Sequence, residues 1–264
     1  MNGNGLDLGI AGRRALVCGS TKGLGLACAI ALLRAGVIVT LNGRSDGSLA
    51  AAIARVEADT GQRPAGVVAD TTTPAGRTAL LSACPAPDIL VTNAAGPPPG
   101  QFEEWDEAVW QAAVNANMIA PIQLIRTVVG PMRERRWGRI LNITSAAVKA
   151  PLPLLGLSNG ARSGLTGFVA GLAREIARDG ITVNNLLPGH FETDRLRAYA
   201  AALAKTKSID VATALDQLAT ANPSGRIGQP HEFGAACAFL ASEAAGFITG
   251  QNLLLDGGAY AGVL

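Results

Sequence analysis

Short continuous apolar runs alternate along the chain with longer segments whose apolar residues recur every three or four positions. The run at 15–18 has strand length, and the segment after it carries apolar residues on one helical face. Continuous apolar runs are typical of parallel strands covered on both faces, and strand–helix alternation is typical of right-handed crossovers. The pattern therefore predicts an α/β fold: a doubly wound parallel sheet with helices on both faces, in a single domain over residues 1–264.

The same alternation locates the individual elements. Strands are expected at 15–18, 37–41, 67–69, 88–92, 139–143, 181–187 and 253–255. Helices are expected at 24–35, 49–60, 74–84, 103–136, 161–179 and 232–241. The segment 191–225 is weakly patterned and rich in Ala and Thr, and it is interpreted as a mobile cover over the substrate.

A glycine-rich turn follows the first predicted strand and opens the first predicted helix. Its spacing, Gly19-x-x-x-Gly23-x-Gly25, differs from the common dinucleotide fingerprint. Gly19 permits a tight turn, Gly23 lets the backbone approach a phosphate, and Gly25 lets helix and strand pack closely. A plain turn is the alternative interpretation. The flanking strand and helix favour a pyrophosphate site, because backbone N–H groups and the helix dipole converge there.

Two cations near this turn favour NADP(H) over NAD(H). In dinucleotide-binding folds an acidic residue after the second strand binds the ribose hydroxyls, whereas an arginine accommodates a 2′-phosphate. Here Asn42-Gly43-Arg44 follows that strand, without Asp or Glu. Arg44 and Lys22 are therefore predicted to bind the 2′-phosphate.

Composition and charge argue against several other functions. The net charge of +2 is too small to suggest a nucleic-acid partner. The densest basic patch is interpreted as a solvated helix end. It consists of Arg133, Arg135, Arg136 and Arg139. The four cysteines are widely spaced, so buried reduced thiols are expected at Cys18 and Cys28, with no metal site and no disulfide.

No membrane or export segment is expected. Residues 1–12 have no apolar core of the signal-sequence type. The most apolar stretch, 27–41, is interrupted by Arg34 and Gly36 and is too short to span a bilayer. A cytoplasmic location is therefore predicted.

Glycines also collect on one face of the 161–179 helix and its start. They are Gly160, Gly164, Gly167 and Gly171. Each costs roughly 1 kcal/mol relative to Ala in a helix. Either the helix tolerates them, or another helix approaches closely, for example from a second subunit.

The carboxyl ends of parallel strands meet at one rim of the sheet, where ligands bind in such folds. The rim is predicted to gather the glycine turn, Asn42, Asp70, Asn93, Ser145 and His190. Arg195 and Arg197, in the segment 191–225, are interpreted as a solvated helix face, with contacts to an acidic substrate as the alternative.

These motifs resemble those of the short-chain dehydrogenase/reductase family, over nearly the whole chain from about Leu8. They are Gly19-Ser20-Thr21-Lys22-Gly23-Leu24-Gly25, Asp70, Asn93-Ala94-Ala95-Gly96, Asn115, Ser145, Asn184, Pro188-Gly189, Thr193 and Asp256-Gly257-Gly258. The resemblance implies a Rossmann-type fold, a nicotinamide cofactor, a small-molecule substrate and a homotetramer. It also implies that the glycine turn, Asp70, Asn93, Ala94, Gly96, Pro188, Gly189 and Thr193 bind the cofactor, and that Asn115 and Ser145 are catalytic.

One part of the family pattern is absent. In the family a tyrosine follows the serine by thirteen positions and a lysine follows four positions later, where this chain has Ser158 and Arg162. A serine hydroxyl is a far weaker acid than a tyrosine beside an ammonium, and arginine does not release its proton. Loss of a positioned general acid typically costs ~10²–10⁴ in rate. Ser145, Ser158 and Arg162 are interpreted as donors that clamp a substrate oxygen.

Three functions remain open. The first is an oxidoreductase acting on a carbonyl, imine or activated alkene. Its proton would come from His190, with Lys149 and Tyr199 as weaker candidates, or an iminium substrate would need none. The second is a non-redox relative resembling halohydrin dehalogenases, which also have an arginine in place of the family's lysine, as this chain has at Arg162. This fits poorly, because those proteins keep the tyrosine and lose the glycine turn. The third is an NADP(H)-binding sensor or partner subunit without turnover.

Overall fold

The computed structural model describes residues 7–263, and the strands in that range form one parallel sheet. The strands are β1 (Arg14–Val17), β2 (Ile38–Gly43), β3 (Ala65–Val68), β4 (Ile89–Thr92), β5 (Gly138–Ile143), β6 (Ile181–Pro188) and β7 (Asn252–Leu255). Their order across the sheet is β3-β2-β1-β4-β5-β6-β7. This confirms the predicted fold class. Residues 1–6 and 264, which bear on the predicted domain limits and the expected lack of a signal sequence, lie outside the described residues.

Helices cover both faces of this sheet. They are α1 (Gly23–Arg34), α2 (Asp46–Thr60), α3 (Pro74–Ala83), α4 (Glu107–Val114), α5 (Ala120–Arg135), α6 (Gly156–Ile176), α7 (Asp194–Lys207), α8 (Val211–Thr220) and α9 (Pro230–Leu240). Ala15 and Val17 of β1 pack with α1, α2 and α9 on one face, while Leu16 and Cys18 pack with α3, α5 and α6 on the other. Both sides of β1 are therefore buried, which explains its continuous apolar run.

The weakly patterned segment 191–225 contains α7 and α8, which were not among the predicted helices. The two helices pack through Ala200, Ala204 and Ala214. Because the fully buried residues of this contact are alanines, the sequence shows little contrast between a buried and an exposed face. The N-caps were a usable signal: the side chains of Thr193 and Asp210 each accept a hydrogen bond from the first turn of the helix that follows.

Two predicted helices have different limits in the structure. α6 begins at Gly156, ahead of the predicted start at Ala161, so that Ser158 lies in its first turn. The predicted 103–136 helix begins at Glu107 and is interrupted by a π-helical turn at Asn115–Ile119, between α4 and α5. Such turns are rare and are frequent at functional sites. The predicted catalytic residue Asn115 opens this one.

The glycine face of α6 is explained in part by a helix of the same chain. A Cβ at Gly160 would lie 3.1 Å from the Trp110 ring, and one at Gly164 would lie 2.7 Å from the Met118 sulfur. Gly167 and Gly171 have open space around the Cβ position. The close approach therefore occurs at the N-terminal half of α6, against α4 and the π turn.

The basic patch was interpreted wrongly at Arg139. This residue lies in β5, is 3% exposed, and packs its guanidinium 4.4 Å from the centre of the Trp137 ring. Its Nη2 also lies 3.6 Å from a carboxylate oxygen of Glu243. Burial lowers the pKa of Arg139, and the carboxylate opposes that effect. The residue belongs to the end of the sheet opposite the rim.

The cysteine prediction is confirmed: Cys18 and Cys28 are buried free thiols, as are Cys84 and Cys237. Burial raises the pKa of Cys18 to about 12. Cys18 is therefore protonated at neutral pH, and the four buried cysteines fill space in the core.

One helical stretch in the described range, Glu107–Arg135, is long and apolar enough to cross a membrane by length and composition alone. Its buried side includes Leu124, Val128 and Met132, each at most 1% exposed and packed in the core beneath the sheet. A core helix passes the same test of length and composition, so its apolarity is accounted for by packing.

Candidate active site

Adjacent strands end in register at the rim that the sequence predicted. Val17 pairs with Val91, Thr92 with Asn142, and Ile143 with Leu186. The residues that follow these positions are therefore brought together across the four central strands. They are Gly19 after β1, Asn93 after β4, Ser145 after β5 and His190 after β6.

The glycine turn after β1 disfavours side chains at its glycines, through backbone conformation at two of them and close packing at the third. Gly19 and Gly23 have φ values of +54° and +58°, which L side chains rarely adopt. A Cβ at Gly25 would lie 2.8 Å from Asn93 Nδ2 and still closer to the carbonyl oxygen of Gly19. The first turn of α1 thus packs directly on backbone, and Lys22, Gly23 and Leu24 lead into its N-terminus.

Two asparagines hold this turn in place. Asn93 Nδ2 donates to the carbonyl of Gly19 at 2.9 Å. Asn42 Oδ1 accepts from the Gly19 N–H at 3.1 Å, and its Nδ2 donates to the carbonyl of Ala69 at 3.0 Å. The sequence placed Asn42 on the rim without this role. This role could have been predicted, because an asparagine at the end of an apolar strand is expected to be buried, and buried polar groups form hydrogen bonds.

Ser20, predicted to bind the cofactor, uses its hydroxyl inside the turn. Its Oγ donates to the carbonyl of Val17 at 2.8 Å and accepts from the N–H of Asn42 at 2.9 Å. The side chain is fully buried. Thr21 packs its methyl group near Gly43, beside Arg44.

The two cations predicted for a 2′-phosphate differ in their surroundings. Lys22 Nζ lies 2.6 Å from Asp194 Oδ2, and both side chains are exposed. Arg44 is exposed and makes no hydrogen bond or ion pair with any of residues 7–263. Hydrogen bonds from Thr72 lower the pKa of Asp70, and the charge of Arg44 contributes to the decrease. Of the two cations, Arg44 is therefore the one without a protein partner in the described residues.

The remaining predicted cofactor residues line the same rim. Thr193 lies beside the turn, with its methyl group 3.6 Å from the Cβ position of Gly23. Gly189, after Pro188, approaches the backbone of Asp256, where a Cβ would come within 2.8 Å of the Cα. Ala94 and Gly96 follow Asn93 in the loop after β4.

Ser158 and Arg162 are brought together at the end of β5. Arg162 Nε donates to Ser158 Oγ at 3.2 Å, and its Nη1 donates to the carbonyls of Ile143 and Thr144 at 2.6 and 2.9 Å. The guanidinium therefore fastens α6 to the backbone just before Ser145. Ser145 Oγ in turn accepts the N–H of Ala147 at 3.1 Å.

The Arg162 guanidinium is buried, and no carboxylate pairs with it in the described residues. Burial lowers the pKa of Arg162 to about 10, and the nearby charge of Arg195 adds to the decrease. The side chain therefore still carries its charge at neutral pH. It is a hydrogen-bond donor and cannot act as a proton shuttle there.

Asn115 and His190 have their partners outside this cluster. Asn115 Nδ2 donates to the carbonyl of Thr72 at 3.4 Å, across from the end of β3. The His190 ring stacks on Tyr199 of α7, with centroids 5.9 Å apart, and lines a cavity of about 150 Å³. Burial lowers the pKa of His190 below its ordinary 6.5 and raises the pKa of Tyr199. Both groups are therefore neutral at pH 7.

α7 and α8 lie over the rim through an apolar cluster. Leu155 at the start of α6 packs with Leu196 and Tyr199 of α7. The ammonium of Lys149 lies 5.6 Å from the centre of the Tyr260 ring, so that Lys149 faces the C-terminal tail. These contacts hold α7 against the start of α6, and the role of the segment 191–225 as a substrate cover stays a prediction.

Arg195 is the rim residue that sequence reasoning assigned to a solvated face. It is half-buried, and its guanidinium lies against Gly96: a Cβ there would be 3.1 Å from Cζ of Arg195. Burial lowers the pKa of Arg195. Arg197 is exposed and pairs with Glu192, as expected of a solvated face.

Comparisons with known proteins agree with this architecture. A family model described as Enoyl-(Acyl carrier protein) reductase matches residues 19–260. The 3-oxoacyl-(acyl-carrier-protein) reductase FabG of Vibrio harveyi is 33% identical over 256 residues, covering 96% of this chain and 99% of the relative. The chain therefore belongs to the short-chain dehydrogenase/reductase family.

Solved structures of similar proteins contain NADPH. The L-sorbose reductase of Gluconobacter frateurii, complexed with NADPH and L-sorbose, superposes with a TM-score of 0.90 at 30% identity, covering 98% of this chain and 100% of that chain. An actinorhodin polyketide ketoreductase variant with NADPH gives a TM-score of 0.88 at 29% identity, covering 94% of this chain and 97% of that chain. The similarity extends over almost the entire length in both cases.

Proposed function

We propose that the protein is an NADP(H)-dependent oxidoreductase that acts on a small carbonyl, imine or activated alkene, with Ser158 and Arg162 in place of the family's tyrosine and lysine. Family membership supports the reaction class. The NADPH in similar structures and the unpaired Arg44 support NADP(H) over NAD(H). The cytoplasmic location and the homotetramer remain predictions from the sequence.

The main observation behind the proposal is that two serine hydroxyls accept hydrogen bonds but donate none. Ser158 Oγ accepts from Arg162 Nε, and Ser145 Oγ accepts from the Ala147 N–H. Neither hydroxyl donates to any of residues 7–263. Each therefore has an O–H left to give to a substrate oxygen, and the guanidinium strengthens Ser158 as a donor. A pair of preorganised donors stabilises the negative charge that develops on that oxygen.

The turn fits a dinucleotide, since its left-handed glycines lead directly into the N-terminus of α1, where backbone N–H groups can bind a phosphate. The Gly19–Gly25 turn with Thr193 would hold the pyrophosphate, Arg44 the 2′-phosphate, and Asp70 with Asn93 the adenosine side. When bound, the reduced cofactor supplies the hydride that the substrate carbon receives. Asn115, Ser145 and Ser158 then orient the substrate, and Arg162 keeps Ser158 in position.

The proton has two possible sources. The His190 imidazole is neutral at pH 7, because burial lowers its pKa, so it acts as an acid only in its minor protonated form. For a carbonyl substrate the rate would then fall as pH rises. An iminium substrate already carries its proton and would show no such dependence.

Serine substitutions test the hydroxyl clamp. In Ser145→Ala and Ser158→Ala variants, assayed by NADPH oxidation with a panel of ketones, imines and activated alkenes, we expect kcat to fall about 10²–10³-fold for each lost donor. Ser163→Ala, on the exposed face of α6, is the matched control and should keep wild-type activity. Wild-type protein that binds NADPH but turns over none of the panel would contradict the proposal.

Binding without turnover is the second candidate, and one observation favours it. Arg162 Nη1 donates hydrogen bonds to two backbone carbonyls, so this nitrogen stabilises the fold and is not available to a substrate. A sensor or partner subunit would bind NADPH with unchanged affinity in the Ser145→Ala and Ser158→Ala variants and would show no cofactor oxidation. The same assay therefore separates the two functions.

A further inference from the structure

Two arginine side chains at the rim lack an anionic partner. Arg195 is half-buried and makes no hydrogen bond or ion pair with any of residues 7–263. Arg162 is buried, and its Nη2 makes no hydrogen bond in the same range, although Nε and Nη1 do. The rim thus holds two cations with free donors and no carboxylate between them.

Other arginines of the chain show what is missing. Arg226 lies 2.6 Å from Glu232, Arg133 lies 2.8 Å from Asp179, and Arg197 pairs with Glu192. Those arginines are exposed, where pairing contributes little. Arg162 and Arg195, for which pairing matters more, have none. A buried charge without a counter-charge is costly, so an external anion would relieve the site.

The position of the two side chains indicates which group binds there. Arg162 is fastened to the Thr144 carbonyl, next to Ser145, and shares its Nε hydrogen bond with Ser158. Arg195 lies over Gly96, after the neighbouring strand β4. The free donor of Arg162 is therefore on the side of Ser158, and Arg195 lies over the loop after β4, between that side and the glycine turn that follows β1.

We propose that the substrate of this protein is an acid whose carboxylate binds between Arg162 Nη2 and the Arg195 guanidinium, beside the carbonyl or imine that Ser145 and Ser158 hold. Guanidinium groups match carboxylates in a planar, bidentate geometry. This inference rests on the proposed function and specifies its substrate class: an oxo acid or an imino acid.

The reaction of such a substrate balances simply. For an oxo acid, hydride from NADPH and one proton convert the C=O group to a hydroxyl, and NADPH becomes NADP⁺. For a protonated imino acid, the hydride alone gives the amine. In both cases the carboxylate is unchanged and serves only as a handle.

Matched substrates test the proposal. We would assay short oxo acids against their methyl esters, with wild type, Arg195→Met and Arg195→Lys, and with Arg197→Met as the control on the same helix. Loss of a charge-assisted hydrogen bond should lower kcat/KM of Arg195→Met for the acids by about 10–100-fold. The esters should change little, Arg195→Lys should recover part of the loss, and Arg197→Met should resemble wild type.

Binding measurements test the carboxylate site separately from the proposed oxidoreductase reaction. Calorimetry of the same acids and esters with NADP⁺-loaded protein should show acids binding more tightly than esters in wild type, and equally in Arg195→Met. That result supports the carboxylate site even if no acid is turned over, in which case only the proposed reaction fails. Esters that bind or react as well as acids would overturn it. So would an Arg195→Met variant that loses NADPH affinity with an unchanged acid-to-ester ratio, because the anion would then be the cofactor's pyrophosphate.

Discussion

Substituting Gly25 by Ala is a direct perturbation of the cofactor site. Gly25 lies in the first turn of α1, and an added Cβ would meet the carbonyl oxygen of Gly19 and lie 2.8 Å from Asn93 Nδ2. Both neighbours belong to the scaffold of the turn: one is backbone, and the other is held by its own hydrogen bond to Gly19. Neither can rotate away, so the turn itself must move.

Two opposing effects determine the size of the change. Gly→Ala in a helix is favourable by roughly 1 kcal/mol, whereas overpacking typically costs ~1–3 kcal/mol. We therefore expect a net loss of about 0–2 kcal/mol in the free energy of unfolding. Affinity should respond more strongly, because each charge-assisted hydrogen bond lost to the pyrophosphate raises Kd about 10–100-fold.

The assay is a titration of NADPH with wild type, Gly25→Ala and Gly130→Ala, together with thermal unfolding of each. Gly130 also lies in a helix, α5, but has open space around its Cβ position. Gly130→Ala should keep the wild-type Kd. A Gly25→Ala protein that is folded and binds NADPH as tightly as wild type would refute the assignment of this turn to the cofactor.

Four further predictions concern the 2′-phosphate, the rate and the stability as His190 titrates, and the missing tyrosine–lysine pair. Arg44→Ala should raise the Kd for NADPH about tenfold or more and leave NADH unaffected; equal losses for both cofactors would contradict a 2′-phosphate contact. If His190 supplies the proton, kcat/KM for a carbonyl should fall with rising pH above the lowered pKa of His190, and His190→Gln should flatten that profile. The same lowered pKa means that wild type should lose stability as pH falls below 6.5, since protonation is easier in the unfolded chain, and His190→Gln should remove that loss. The Ser158→Tyr, Arg162→Lys double variant should gain about 10²–10⁴-fold on generic ketones, whereas no gain with intact NADPH binding would mean that the acid is not what is missing.

The sequence predicted the sheet well because the central strands are buried on both faces. In β1 and β4 every side chain after Arg14 is buried, and such strands appear as continuous apolar runs, Ala15–Val17 and Ile89–Val91. Once the strands are known, the rule for parallel sheets places their carboxyl ends together. The location of the rim residues follows from topology without any side-chain detail.

The distinction between Arg195 and Arg197 could not be made in the same way. The two residues are two positions apart on α7 and so point to roughly opposite sides of the helix. Which side faces the rim depends on how α7 docks through Leu196, Tyr199 and its alanines. The rest of α7 is rich in alanine, so the pattern does not distinguish its two sides, and Arg195 and Arg197 receive the same interpretation.

The hydrogen bonds of Arg162 also could not be predicted from the sequence. Counting positions placed Arg162 beside Ser158, but it did not reveal that Nη1 would hold the carbonyls of Ile143 and Thr144. This arrangement depends on α6 beginning at Gly156, which leaves the guanidinium facing the end of β5. Helix starts are poorly defined by periodicity when, as here, no side chain caps the helix.

The central claim is that a phosphorylated nicotinamide dinucleotide binds at the glycine turn. Calorimetric titration of the wild-type protein with NADPH, NADP⁺ and NADH tests it most directly. We predict saturable binding of NADPH and NADP⁺, with NADH weaker by about tenfold or more because it lacks the phosphate that Arg44 would bind. Absence of binding heat with both NADPH and NADP⁺, from a protein that unfolds cooperatively, would contradict the account.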